Sequence, residues 1–563
     1  MKLFSRIRAR FERVAPAGEA PAGGDAAALA ADSAHEDAAV RGQRALAARD
    51  YAAAIECFRA AIDCKHDDAG AYCALGIAHM KLQQYEDAAD CFQMAAHFRD
   101  DDAEPHYQLG LLAQRRGDPA RAVVHIGDAI RRRPDHADAH NLLGACLLEL
   151  GDAVRAAASL ERAVGIRPDN AHFQSNLGFV LLRDLGEAER GARHLETALR
   201  LGGDDPLIQC NYCSLLAHRG RIEEVIALCD RLLVTNPALT EARLNRALAL
   251  LKIERYAEAW PDYEARKHTR SNYLQRPYAF PEWRGETLAG KTLLVYGEQG
   301  LGDEIMFASC LPEVLKHARC CVIDCSPRLA VLFQRSFPDA VVHGSEQAAG
   351  GGDQLLPVAV DYQVAAGSLP GHFRRRREDF PAHTGYLRAD PARVAFWRSK
   401  LQACAGRLKV GIAWRGGMMS TRRNLRSLEL SALLNVLQLP AVHFISLQHD
   451  ATPEELNTLK RGSDVRLEHW PEAVADLDET AALVSALDLI ITVCSANVHL
   501  SGALGREAWV MVPAVAEWRY LAAGDSMPWY PAVRMFRQQQ EGDWAGVVAA
   551  IAGELAKFRP LPC

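Results

Sequence analysis

The chain has 563 residues, 49% of them hydrophobic and 24% charged, with 65 basic against 71 acidic side chains and a formal net charge of −6. At about 150 residues per domain this length predicts three or four domains, and so ordinary a composition excludes wholesale disorder and a collagen-like or fibrous chain. A pI near 6.4 excludes a general nucleic-acid binder, which carries a dominant basic field.

Residues 1–34 are read as a flexible basic and Ala-rich tail. Within it Leu3, Phe4, Ile7, Phe11 and Val14 fall on one helical face, ringed by Lys2, Arg6, Arg8, Arg10 and Arg13. The alternative is a membrane-surface helix giving weak peripheral contact at 1–14. No apolar h-region is present, so no secretory signal is expected. Nor does any apolar run approach the ~20 residues of a membrane span. Fifteen cysteines, an odd number in a long chain, point to reduced thiols and a cytoplasmic protein rather than a disulfide framework.

Residues 35–270 repeat. Gly42, Gly76, Gly110, Gly144 and Gly178 stand 34 residues apart, and Ala54, Ala88, Ala122 and Ala156 keep the same step. A 34-residue period with small residues is the tetratricopeptide signature, in which each unit is two antiparallel helices. Phe58, Phe92, Ile126 and Leu160 are expected to fill the space between neighbouring units, and Pro134 and Pro168 to mark helix ends. Two weaker units, near 206–237 and 238–270, bring the total to about seven. A groove for a protein or peptide partner is expected of such an array, without chemistry of its own.

Residues 271–288 read as a linker with Pro277, Pro281 and Trp283. After it the period gives way to strand–helix alternation. Strands are predicted at 291–296, 321–325, 340–342 and 360–364, then at 409–414, 442–448, 465–467, 487–493 and 508–512. The two series predict two doubly wound, Rossmann-like domains, 289–390 and 391–563, facing a cleft and binding ligands at the carboxyl ends of their strands. The first strand ends in Gly297-Glu298-Gln299-Gly300-Leu301-Gly302-Asp303. Its glycines allow close backbone approach and the following helix N-terminus favours anions. The spacing is neither the dinucleotide fingerprint nor a Walker loop. Asp303 is placed to take a proton from an acceptor hydroxyl, the plainer alternative being a helix N-cap. Later, Cys494-Ser495-Ala496-Asn497 ends an apolar strand and opens a helix with His499 in its first turn.

These residues carry a resemblance. The stretch 476–513 resembles the donor-binding signature of glycosyltransferase family 9, the heptosyltransferase-like enzymes, and Gly300-Leu301-Gly302-Asp303 resembles the same family's N-terminal turn. Repeats followed by YGEQGLGDE, GIAWRGG, TRRNLRS and PWYP motifs are similar to bacterial tetratricopeptide-repeat glycosyltransferases over about 35–540. The resemblance implies a multidomain chain, an all-α solenoid followed by an α/β GT-B fold. It implies an inverting, metal-independent transferase with no cofactor, taking a nucleotide-sugar donor in the C-terminal domain. Asp303 then matches the general base, and Gly300 and Gly302 line its turn. Arg426 matches the residue on the donor diphosphate, where a guanidinium forms bidentate bonds. Thr421 matches a hydroxyl beside that diphosphate, Gln448 a nucleoside contact, and Ser495, Ala496 and His499 the donor-side helix terminus. Cys494 stands where the family usually has Asp, and Glu507 where it commonly has Pro.

Other signals are read as structural. Cys210-Asn211-Tyr212-Cys213 is a lone C-x-x-C expected in a core, as are Cys320, Cys321 and Cys325 on a strand. The run Arg374–Arg377 is read as a solvated loop, with acceptor docking as its alternative. The expected function is transfer of a sugar to a hydroxyl, with a protein acceptor held by the repeats. Two alternatives stand beside it: a non-catalytic adaptor with a degenerate second half, and a lipopolysaccharide-type transferase.

Overall fold

The structure is a computed structural model, and it describes residues 24–269, 278–345, 356, 358–404, 406–417, 423–462, 465 and 467–559. The basic segment 1–14, Pro277 and Thr421 lie outside the described residues. Among those described, no helix is long and apolar enough to cross a membrane. The chain forms two compact units, Met1–Leu181 and Leu182–Cys563.

Among the described residues, fourteen α-helices run in series from Gly24 to Tyr263, and within each unit consecutive helices pack as hairpins. Local chemistry sets their ends. Asp50, Asp68, Asp102, Asp118 and Asp152 each accept a hydrogen bond from a backbone N–H of the helix they precede, satisfying a donor that has no intrahelical partner. Pro134 and Pro168 follow the C-cap residues Arg133 and Arg167. The 34-residue glycines are steric. A Cβ at Gly42, Gly76, Gly110 or Gly144 would lie 2.7, 2.6, 2.5 or 2.6 Å from Phe58, Phe92, Ile126 or Leu160. This corrects the expectation for those four large residues: each packs on the glycine of its own hairpin. The glycine removes the volume that the large side chain needs.

The second unit begins with the helices that end the array, Ala188–Gly202 through Tyr256–Tyr263, and continues into two α/β sheets. The first has strands β1 (Thr292–Tyr296), β2 (Cys320–Cys325), β3 (Val341–Gly344) and β4 (Tyr362–Ala365), all parallel, in the order β3-β2-β1-β4. The second has β5 (Leu408–Ala413), β6 (Val442–Ser446), β7 (Leu467–His469), β8 (Leu489–Val493), β9 (Ala508–Val512), β10 (Ser526–Met527) and β11 (Tyr530–Arg537). Its order is β10-β11-β9-β8-β5-β6-β7, parallel except for the β10–β11 pair. In each sheet the chain winds outward to one side and then returns to the other side of its first strand. The reversals fall between β1 and β4 and between β5 and β8, and such switch points leave a crevice at the carboxyl ends of the strands.

The final hairpin is joined to the sheets by buried contacts. Trp260 packs edge-on against Trp518 with ring centroids 6.0 Å apart, and its Nε1–H donates to the Arg374 carbonyl at 2.7 Å. Arg374 itself corrects the reading of the four-arginine run. Its guanidinium is buried, donating to Glu313 at 2.7 Å and to the Ser309 carbonyl at 2.8 Å. A buried cation persists only when paired in this way. Cys210, Cys213, Cys321 and Cys325 are buried in the core.

Candidate functional site

The two switch points carry the glycine-rich exits. Beyond β1, Gly300 precedes the short helix Leu301–Phe307 with an extended backbone and no side chain to cap it. Asp303 sits in the first turn of that helix. It is not the cap: its carboxylate accepts from the Arg519 guanidinium. Burial pushes the Asp303 carboxyl up, while the Arg519 charge pulls it down; the net shift is upward.

Beyond β8, Ser495 caps the helix Ala496–Ala503, its Oγ accepting from the Asn497 N–H at 3.3 Å. This helix end meets the first. A Cβ at Gly302 would lie 2.8 Å from His499 Cδ2 and 3.7 Å from Ala496 Cα, so a glycine is required for the two termini to approach. The β5 exit closes on the same place, since a Cβ at Gly416 would lie 2.7 Å from the Cys494 carbonyl oxygen and 2.8 Å from Ser495 Cβ.

Four charges line up across this junction. Arg519 pairs with both Asp303 and Glu517, and Glu517 lies 3.5 Å from Arg426 Nη1. Arg426 ends the 3-10 turn Arg423–Arg426. That turn is tied down by the Arg423–Asp450 ion pair and by Asn424, which donates to the Leu185 carbonyl at 3.1 Å. Two guanidiniums paired with two carboxylates can exchange partners for an incoming anion. His499 is buried beside them, its Nδ1 at 3.1 Å from the Tyr530 hydroxyl. Burial, reinforced by Arg519 and Arg426, holds its imidazole well below the ordinary range, so it is neutral at pH 7. Burial also pushes the Cys494 thiol up to about 12. The residue standing where the resemblance expects a carboxylate is therefore uncharged. Tyr386 completes the floor, donating to the Ile305 carbonyl at 2.7 Å.

The structure brings Gly300, Gly302, Asp303, Arg426, Ser495, Ala496 and His499 to this one junction. Gln448 stands one strand away as a brace. Its Oε1 accepts from the N–H groups of Trp414 and Arg415 at 3.0 and 2.9 Å, and its Nε2 donates to Asp450 at 2.6 Å. Thr421 is outside the described residues. Sequence reasoning missed Arg519 and Glu517. Their signal is position, a Glu-Trp-Arg-Tyr loop just past the carboxyl end of β9. A cavity of about 430 Å³ opens after β6 and β7, lined by His449, Asn457, His469 and Pro471. Another of about 470 Å³ is lined by Trp260, Glu264, Lys267, Trp283 and His372.

The tetratricopeptide-repeat family matches residues 40–104 and 107–171. These repeats are a protein-interaction module. Protein FlbA of Caulobacter vibrioides is 31% identical over 403 residues, covering 68% of this chain and 67% of FlbA. That span is longer than the helical array, so the likeness reaches into the α/β region. Among solved structures, pilF of Pseudomonas aeruginosa is 14% identical, covering 39% of this chain and 99% of that one at a TM-score of 0.35. TTC0263, a thermophilic repeat protein of Thermus thermophilus, is 22% identical, covering 32% of this chain and 99% of that one at a TM-score of 0.28.

Proposed function

The chain belongs to the FlbA family, and from that premise we propose that it is an inverting glycosyltransferase of GT-B type, moving a sugar from a nucleotide-sugar to a hydroxyl of a protein acceptor. The observation that carries the proposal is the meeting of Asp303 with Arg519, Arg426 and the N-terminus of the helix Ala496–Ala503 at the switch points of the two sheets. A base and an anion site are what such a transfer needs on either side of one carbon.

In this mechanism Asp303 accepts the proton of the acceptor hydroxyl. The oxygen attacks the anomeric carbon as the bond from that carbon to the diphosphate oxygen breaks. The charge that develops on the leaving diphosphate is met by Arg426 and by the backbone N–H groups behind Ser495. Arg519 orients the Asp303 carboxylate and releases Glu517 when the diphosphate arrives. His499, neutral and held by Tyr530, lies against the sugar side. The nucleoside occupies the cavity at His449 and His469, within the size range of a small-ligand site. Gln448 shapes the chain at its edge. The repeats bind the acceptor, since interaction with protein is what such arrays do.

A screen of nucleotide-sugars with the purified chain tests this. The expected result is release of nucleotide from one donor, lost by a factor of about 10² or more in Asp303→Ala, the lower end of a general base's contribution. Donor binding without turnover, unchanged in Asp303→Ala, would identify a non-catalytic adaptor; no binding of any nucleotide-sugar would sink the proposal outright.

A further inference from the structure

The repeats carry a constellation that the transfer reaction does not use. His106 lies on the first helix of the third hairpin, Ala103–Arg115, and His125 and Asp128 lie three apart on its second, Pro119–Arg132. One ligand atom from each of the three falls within 4.8 Å of the others.

The repeat itself supplies the comparison that makes His106 unusual. At the same register one unit on, His140 Nε2 lies 2.9 Å from the Pro134 carbonyl oxygen. One unit further, Gln174 donates to the Pro168 carbonyl at 2.7 Å. The corresponding carbonyl for His106 is that of Asp100, and Arg132 takes it. Both ring nitrogens of His106 are buried, with no hydrogen-bond partner among the described residues, a costly state for an imidazole. In the neighbouring units the positions of His125 and Asp128 are held by Cys91 and Met94 on one side and by Ser159 and Arg162 on the other. Among the described residues the three ligands therefore coincide once, in the unit where the usual partner is lost.

We infer that His106, His125 and Asp128 bind a divalent transition-metal ion, of the zinc, nickel and copper class, across the two helices of the third hairpin. Two imidazoles and one carboxylate suit these borderline ions. Calcium and magnesium need more oxygen ligands than the site offers. Asp128 also pairs with Arg131, an exposed side chain that is free to swing out when the ion enters. Three protein ligands leave further positions to water or to a group of a bound partner.

Titration of the untagged full chain with Zn²⁺ by calorimetry, with metal content checked after dialysis, tests the site. One equivalent is expected to bind, with affinity falling by about 10-fold or more in His106→Gln and in His125→Ala, since even a residue that only supports a ligand is worth that much. Gln already occupies this register at position 174, so the first variant keeps the fold. Because the chain is rich in free thiols, Co²⁺ spectra decide which ligands are used: bands of imidazole and carboxylate ligation without thiolate charge transfer are expected. Thiolate bands, sub-stoichiometric uptake, or binding unchanged in both variants would overturn the inference.

Discussion

Asp303 and Arg519 are 216 residues apart in sequence and in direct contact in space. Their pairing sets the charge of the carboxylate that the proposed transfer would use as its base. Burial raises the Asp303 carboxyl, and the guanidinium is the chief influence that lowers it. If Asp303 is the base of the proposed transfer it must be ionised to work, so nucleotide release is expected to fall as pH drops through a value above the ordinary carboxylate range. Removing the cation with Arg519→Met should shift that acidic limb upward by about 1 pH unit or more, as loss of an opposite charge at this distance does. Arg519→Lys should restore part of the shift. The check is the pH profile of nucleotide release in the three proteins; an unmoved limb would show that Arg519 does not set the Asp303 charge. Of this pair only Asp303 was legible in the sequence, because its turn has a local signature of glycines before a helix. Arg519 has none. Its role exists only once β9 delivers its loop to the first sheet's exit, and no spacing along the chain reports that. Cys494 was legible as a departure, and its burial makes it an uncharged one.

At the scale of elements, the turn that carries Asp303 is held from behind by the end of the helical array. Arg266, fully buried on the 3-10 turn Glu264–His268, donates to Glu298 at 3.0 and 2.7 Å and to Ser368 at 2.9 Å. Glu298 in turn accepts from the Gly367 N–H at 3.1 Å, so one ion pair spans the array, the β1 exit and the β4 exit. Breaking it by Arg266→Ala leaves a buried carboxylate unpaired and should cost about 3–5 kcal/mol. Replacing both charges, as in Arg266→Met with Glu298→Gln, should recover most of that loss. Denaturant unfolding of the single and double variants measures it, and equal losses in both would show that the pair's charges are not what matters. Sequence patterning read most of these elements because buried parallel strands are short apolar runs. β9 lies at 508–512, where it was expected, and β4 at Tyr362–Ala365 is displaced by a residue or two. β11 escaped because it carries Pro531, Arg534 and Arg537 on alternate faces. Its pairing with β9 on one side and β10 on the other makes it a strand. The array was the most legible part, since its glycines mark close contacts that recur at a fixed step.

At the scale of the whole molecule, the repeat pattern and the compact units do not end at the same residue. The period runs to about 270, but packing divides the chain at Leu181. The last hairpin belongs with the sheets because its aromatic side chains pack on theirs. Tyr256 lies 5.0 Å from Phe380 between ring centroids, Trp260 6.0 Å and Tyr263 5.7 Å from Trp518, and Phe380 4.9 Å from Trp529. Rings of this size dominate the energy of a core. The last hairpin is thus as much a wall of the α/β region as a unit of the array. A solenoid is stabilised by nearest neighbours, so its early repeats need only one another, whereas the sheets need the last hairpin. Cutting where the sequence period ends should therefore fail. A fragment of residues 271–563 would expose Trp518, Trp529 and Phe380 and leave Glu298 without Arg266; it is expected to aggregate or to lack near-ultraviolet circular dichroism. A fragment of residues 182–563 retains those contacts and should unfold in one cooperative transition, and residues 1–181 should give a helical spectrum with a transition of their own. Native-like aromatic dichroism in 271–563 would refute the assignment of the last hairpin to the α/β core.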